Sequence, residues 1–349
     1  GVEEENQMVT IKDVARDAGV SVGTVSNVLN GGRVSEARRK LVEASIEKLG
    51  YQVNTLAKGM RMQKTDYVVV IMPNLINPYF ALLLDALESE LSAVGKQVLL
   101  CLSGDDAERE VAFMDMAKQN KVDGIIGVTY SKVEEERIEN MAFVSIDRHY
   151  KSHIPCVAGD NWQGGWLAAE NLHKRGSTNL LCFMTMSSVD SEVRKRRVGF
   201  TEYCMEHDLS CNSVEMSEKQ IVSVYESYGS RKLIHNMLRA YISPSMGEHS
   251  IDGIFTSSDH LATIVREELE EMGKRVPEDI QIIGYDGLQF LNQGKPIVSS
   301  IAQPVHEIAK EAVRCLNELI ANGKTEGNTK IPVSFQEGPT TKTLVTEEK

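Results

Sequence analysis

The sequence predicts a small all-α helix-turn-helix head followed by an α/β core of two doubly wound parallel-sheet lobes. Three observations carry this. Residues 8–53 hold three short amphipathic stretches, each opened by Ser or Thr and closed by Gly or Asn. From residue 65 onward, β-branched apolar runs alternate with amphipathic stretches. About 280 residues of that alternation are too many for one open sheet covered on both faces.

In the head, Thr10 is a good N-cap for a helix over 11–18, with Ile11, Val14 and Ala15 on one buried stripe. Gly19 closes it where a left-handed residue is needed, and Val20 plugs the turn. Ser21 caps a second helix over 22–29, whose Val25, Val28 and Leu29 face inward. Asn30, Gly31 and Gly32 break it; Ser35 caps a third helix that runs to Leu49 and stops at Gly50. This arrangement turns the N-terminal half of the second helix outward, where it can enter a major groove. That half presents Val22, Gly23, Thr24, Ser26 and Asn27. Lys12, Arg16, Arg33, Arg38, Arg39 and Lys40 flank it, suited to phosphates.

The core is expected to place strands at 67–72, 97–102, 123–128, 143–146, 156–159, 180–185, 253–256 and 280–284. Helices are expected at 78–94, 106–120, 162–175, 194–207, 225–240, 260–272 and 305–321.

Charge separates head from core. The 349-residue chain has 38 Lys+Arg against 50 Asp+Glu, net −12, yet residues 8–64 carry ten basic and five acidic side chains. A basic head on an acidic body is drawn to DNA by one end only. No apolar run approaches about 18 residues and no signal peptide is visible, so a cytoplasmic protein without membrane contact is expected. The six cysteines lie far apart with no CxxC pair, as reduced thiols do. No His, Cys and carboxylate set has metal-ligand spacing, and no cofactor is expected.

Ligands in such sheets bind at the carboxyl ends of strands. Polar and aromatic residues gather there: Asn74, Asn77, Tyr79 and Phe80, then Asp147 and Arg148, Asp160 and Asn161, Ser257 to Asp259, and Tyr285 with Asp286. Carboxylates and amides for hydroxyls, an Arg fork and flat aromatic faces suit a sugar, nucleoside or similar polyol. Any one of these residues alone is an ordinary helix cap, and Asp106 and Asp259 are read as caps. Asp286 is followed by Gly287 rather than a helix, so its carboxylate has no evident local duty.

The run TIKDVARDAGVS-x-x-TVS-x-VLN, the stretch Leu56 to Met60, and the later INPYF, VDGIIG, DN-x-x-GG (160–165), R-x-x-GF (196–200), SSD, VPEDI, IIGYD and Gln303-Pro304 resemble the lactose-repressor/galactose-repressor family. The resemblance runs from about residue 8 to 339. It implies a DNA-binding head over 8–53, a hinge helix and linker over 54–64, and an effector-binding core over 65–340 similar to periplasmic sugar-binding proteins. In that core three crossings join an N-lobe (about 66–159 plus 289–320) to a C-lobe (about 160–288 plus 321–340). Val22, Gly23 and Asn27 fall at the base-reading positions. Asn27 suits adenine, Val22 a thymine methyl, and Gly23 leaves one position blank. In the hinge, Val53 stands where the family has Pro, and Met60 stands as the minor-groove wedge. Residues 54–60 are expected to become helical on DNA.

The DNA-binding set is then Thr10, Ser21, Val22, Gly23, Thr24, Asn27 and Arg33, with Asn54, Ala57, Lys58 and Met60 from the hinge. The effector set is Tyr79, Phe80, Asp147, Asn161, Arg196 and Asp286, to which the strand-end reading adds Arg148. The function implied is a transcriptional repressor. It acts as a homodimer on a pseudo-palindromic double-stranded operator, under a small-molecule effector such as a sugar. Residues 346–349 show no heptad pattern, so a coiled-coil tetramer is not expected. Two other classes stay open. A solute-binding protein is opposed by the basic head; an enzyme is opposed by the lack of a phosphate loop, nucleophile elbow or metal set.

Overall fold

The computed structural model describes residues 9–51, 65–134, 137–138, 140–150, 154–186, 189, 191–242, 250–289 and 292–344. The chain divides into two compact units, 1–65 and 66–349. In the first, α1 (Ile11–Asp17), α2 (Val22–Leu29) and α3 (Glu36–Leu49) close over Val14, Val25 and Val42, all fully buried. Ser21 Oγ accepts the Thr24 N–H at 3.2 Å and caps α2. Asp13 accepts from the Thr10 N–H at 3.0 Å and from its hydroxyl at 2.6 Å, tying down the start of α1. Ser35 starts α3 without a side-chain cap bond. Gly19 and Gly50 take φ of +64° and +62°, which their missing Cβ permits. The expected hinge helix lies outside the described residues.

The second unit holds two six-stranded sheets. The first is built from β1 (Tyr67–Met72), β2 (Gln97–Leu102), β3 (Gly124–Gly127), β4 (Phe143–Ile146), β5 (Cys156–Gly159) and β11 (Thr329–Ile331), in the order β11-β5-β4-β3-β1-β2, all parallel. Helices α4 (Pro78–Ala93) and α11 (Val305–Asn322) cover one face around Leu83, Leu87 and Leu316, and α5 (Ala107–Gln119) covers the other around Met114. The second sheet contains β6 (Asn179–Met186), β7 (Ser210–Ser217), β8 (Gly253–Thr256), β9 (Gln281–Asp286), β10 (Ser299–Ala302) and β12 (Ser334–Gln336). Its order is β12-β10-β9-β8-β6-β7, with β12 antiparallel to β10. One face packs α6 (Asn161–Lys174) and α7 (Lys195–Glu206); the other packs α8 (Glu218–Glu226), α9 (Lys232–Ile242) and α10 (Asp259–Glu271).

Two expectations need correction. Residues 289–320 do not all belong to the first lobe. Ser299–Ala302 pairs in parallel with β9, so the second lobe runs to residue 302 and the crossing falls at Gln303. Thr329–Ile331 returns to β5 in the first sheet before β12 rejoins the second. Both strands are short and polar, and strand periodicity does not show in three or four such residues. The single helix expected over 225–240 is two. Ser217 and Gln220 form a capping box that starts α8 early, with Gln220 Oε1 accepting the Ser217 N–H at 2.9 Å. Ser227 is extended, at φ −140°, and breaks the run before Lys232.

Candidate functional site

On the head, Asn27 and Val22 stand exposed on α2, and Gly23 leaves open space there: an added Cβ would meet only Ser21 Oγ at 3.7 Å. The Ser21 and Thr24 hydroxyls lie 3.0 Å apart and bond each other. The Thr10 hydroxyl is held by Asp13, so these three groups brace helix starts as well as facing outward. Arg33, Lys12, Arg38 and Lys40 are exposed and form no ion pair among the described residues. Arg39 has a structural duty as well: its guanidinium donates to the Gly32 carbonyl at 3.2 Å and holds the turn after α2. Asn54, Ala57, Lys58 and Met60 lie outside the described residues.

Within the core, one cavity lies between the strand ends of the two sheets. It is lined by Tyr79, Phe80 and Asp147 from the first lobe, by Arg196, Tyr225, Ser257 and Asp286 from the second, and by Gln303 at the crossing. Asn77 caps α4 by accepting the Tyr79 N–H at 3.1 Å; this turns Tyr79 and Phe80, packed edge to face, toward the cavity. Arg196 Nε donates to Asn161 Oδ1 at 2.6 Å and its Nη1 to the Ser257 carbonyl at 2.7 Å. The guanidinium lies 3.5 Å from the Tyr285 ring centre. Asn161 does not line the cavity. It donates to the Gly159 carbonyl at 2.9 Å and reaches Asp147 at 3.4 Å, and so holds Arg196 and Asp147 in place.

The family-like glycines explain how Arg196 comes to be there. A Cβ on Gly165 would fall 1.8 Å from the Arg196 carbonyl oxygen, and one on Gly199 2.0 Å from that of Trp162. Helices α6 and α7 therefore touch backbone to backbone. That contact carries Arg196 onto Asn161.

Burial governs the charges. It pushes Asp286 up to about 7 and Asp147 up to about 6, with Arg196 opposing both shifts. Gln303 Nε2 donates to Asp286 Oδ1 at 2.9 Å, while Oδ2 is buried with no hydrogen bond among the described residues. Asp259 is more than a cap. Ser258 caps α10, and the Asp259 carboxylate reaches across to the Leu288 N–H at 2.7 Å and Ser300 Oγ at 2.6 Å.

Arg148 does not join this set. Its guanidinium donates to Thr129 Oγ1 at 3.1 Å and the Ser131 carbonyl at 2.7 Å, over the Tyr150 ring. It follows Asp147 in the chain, and the left-handed backbone of Asp147, at φ +60°, turns the chain there so that the two side chains meet different surroundings. Sequence reasoning also passed over Gln303 as a site residue. Its placement at a crossing depends on β10, which was not visible. Among the described residues no three His, Cys, Asp or Glu side chains gather as a metal site, and no helix is long and apolar enough to cross a membrane.

A helix-turn-helix unit and a two-lobed core with a polar cleft, carried on one chain, are the parts of a DNA-binding regulator with a place for a ligand. Residues 10–54 match the bacterial regulatory proteins of the lacI family, and residues 169–341 match the periplasmic binding protein-like domain. The sucrose operon repressor of Pediococcus pentosaceus is 32% identical over 332 residues, covering 94% of this chain and 98% of that protein. The ribose operon repressor of Halalkalibacterium halodurans is 32% identical over 311 residues, covering 88% of this chain and 89% of that protein. Among solved structures, a periplasmic binding protein/LacI transcriptional regulator from Alkaliphilus metalliredigens, complexed with D-xylulofuranose, superposes with a TM-score of 0.68 at 26% identity; 80% of this chain and all of that one are covered. The lac repressor dimer bound to operator shares the fold at a TM-score of 0.76, with 23% identity over 96% of this chain and 99% of that one. The chain belongs to the lacI family of bacterial regulatory proteins and is a DNA-binding transcriptional regulator.

Proposed function

We propose that this regulator is a homodimeric repressor whose effector is a neutral sugar or related polyol, bound between the lobes on Asp147, Arg196 and Asp286 against Tyr79 and Phe80. The observation that carries this reading is Asp286 Oδ2, buried and unbonded at the edge of the cavity. A buried acceptor left without a donor costs about 1–3 kcal/mol, which a ligand hydroxyl would recover. Charge narrows the class. The guanidinium has Nε and Nη1 already engaged, and beside it stand two buried acids that burial raises to about 6 and about 7, so the site offers partners for hydroxyls rather than a cationic clamp for a phosphate or carboxylate. The relatives named for sucrose and ribose operons, and the neighbour holding D-xylulofuranose, agree with that class.

The cleft is a binding site without chemistry on this reading: its polar groups are spread over several strand ends and pair with backbone and amides rather than as nucleophile and base. On DNA, Asn27 and Val22 read bases and Arg33 and Arg38 hold phosphates. One head buries too little surface for tight specific binding, which calls for two heads on a pseudo-palindromic site. Effector and operator are linked because each prefers one arrangement of the lobes. The test is a thermal-shift screen of pentoses, hexoses and disaccharides beside their phosphorylated forms. A neutral sugar at about 100 times its dissociation constant should stabilise the protein by about 2.7 kcal/mol. Response to phosphorylated forms alone would overturn the assignment.

A further inference from the structure

At the edge of the cleft, the two lobes also meet through a direct contact. Asp147, Arg148 and His149 follow β4 in the first lobe; Ser191 and Glu192 stand in the turn before α7 in the second. The Glu192 N–H donates to the Asp147 carbonyl at 2.9 Å, and Arg148 and Ser191 form an antiparallel bridge. The Glu192 side chain adds a second link. Its Oε1 bonds His149 Nε2 across the lobes and accepts from Lys195 Nζ within its own lobe. Glu192 is 1% exposed, and its Oε2 is buried without a hydrogen bond among the described residues. Burial raises its carboxyl, but the bonds from Lys195 and His149 outweigh that and hold it below its ordinary value.

A buried carboxylate keeps its charge only while its partners stay. One of those partners belongs to the other lobe. The residue whose carbonyl Glu192 captures is Asp147, held at φ +60°, a conformation that persists in a non-glycine residue only where its surroundings enforce it. The same Asp147 turns its carboxylate toward the cavity.

We infer that Glu192 is a positioning residue for the cleft. With His149 it clasps the lobes, and through the same contact it fixes the backbone of Asp147, so that closure and placement of that carboxylate are one event. The inference rests on reading the cleft as the effector site. The Glu192 side chain itself is not part of the cavity lining, whereas Asp147 and the next residue, Val193, are. Parting the lobes would strip Glu192 of its His149 bond and release the Asp147 carbonyl together.

Amide hydrogen exchange on the full-length, unliganded protein tests this, with each substitution read in the opposite lobe. Glu192→Gln should speed exchange over residues 147–150 tenfold or more, and His149→Ala should do the same over 191–195. Strands β1 and β6 should keep wild-type protection, which shows that both variants remain folded. Faster exchange confined to the lobe that carries the substitution, or no change in either, would overturn the clasp. No sugar is present, so a wrong effector class leaves this result untouched.

Discussion

Gly199→Ala probes the contact that delivers Arg196 to the cleft. The new Cβ would sit 2.0 Å from the Trp162 carbonyl oxygen, where ordinary contact begins at 3.4 Å. Backbone lies on both sides, so α6 and α7 must separate by more than ~1 Å rather than reorient a side chain. Overpacking of this kind costs about 1–3 kcal/mol, and each kcal/mol lowers the melting temperature by about 2–4 °C in a domain of this size. The same separation stretches the 2.6 Å bond from Arg196 to Asn161 past the range of a hydrogen bond. Effector affinity should therefore fall about tenfold as a charged hydrogen bond is lost. Calorimetric melting and sugar titration, with Gly327→Ala as a control that meets nothing within 4 Å, read both effects. A Gly199→Ala protein that melts with the wild type would refute the backbone contact.

Because Asp286 is raised to about 7 and Asp147 to about 6, the folded core holds protons that the unfolded chain, near 3.8, has lost. Stability should then fall as pH rises from about 4 to about 7. The unliganded protein should melt higher at pH 6 than at pH 8, and Asp286→Asn should flatten that slope in a buffer series. Arg148→Ala should lower the melting temperature, since it removes bonds to Thr129 and Ser131, while calorimetry finds effector affinity within about twofold of wild type. Asn27→Ala should lose about 1–3 kcal/mol of discrimination at one base pair per half-site, read by competition among operator variants. An unchanged ranking of those variants would remove Asn27 as a base reader.

Long, strongly patterned elements were legible in the chain. The runs at 67–72, 143–146 and 253–256 form strands at those residues, because buried strands of a parallel sheet are apolar on both faces; the apolar run at 97–102 also forms a strand, at the half-exposed edge of its sheet. Capping residues located α1 and α2 equally well. The edge strand β7, CNSVEM within Ser210–Ser217, escaped notice because one side of it is solvated and its residues are largely polar. The strands β10 to β12 were too short to carry a period, and with them went the position of the crossings and of Gln303. Strand ends collected Tyr79, Phe80, Asp147 and Asp286 around one cavity because that is where a doubly wound sheet leaves its loops, while Arg196, in α7, was pointed to by the R-x-x-GF resemblance alone. Which way each side chain turns was another matter. Arg148 and Asp147 are neighbours in sequence and face different surroundings, a distinction set by the backbone rather than by residue type. The clasp at Glu192 had no sequence signal, since it joins residues 43 apart across two lobes.

The central claim is that a sugar on Asp286 and Arg196 changes how the heads hold DNA. It is tested most directly by fluorescence anisotropy with a duplex selected from a random pool by the full-length protein. The duplex is titrated in the presence and absence of the neutral sugar that stabilises the wild type. The sugar should shift operator affinity by about 5–150-fold in the wild type. In Asp286→Ala the shift should vanish, while sugar-free operator affinity stays within about twofold of wild type. An Asp286→Ala protein that answers the sugar as the wild type does would place the effector site elsewhere and contradict the account.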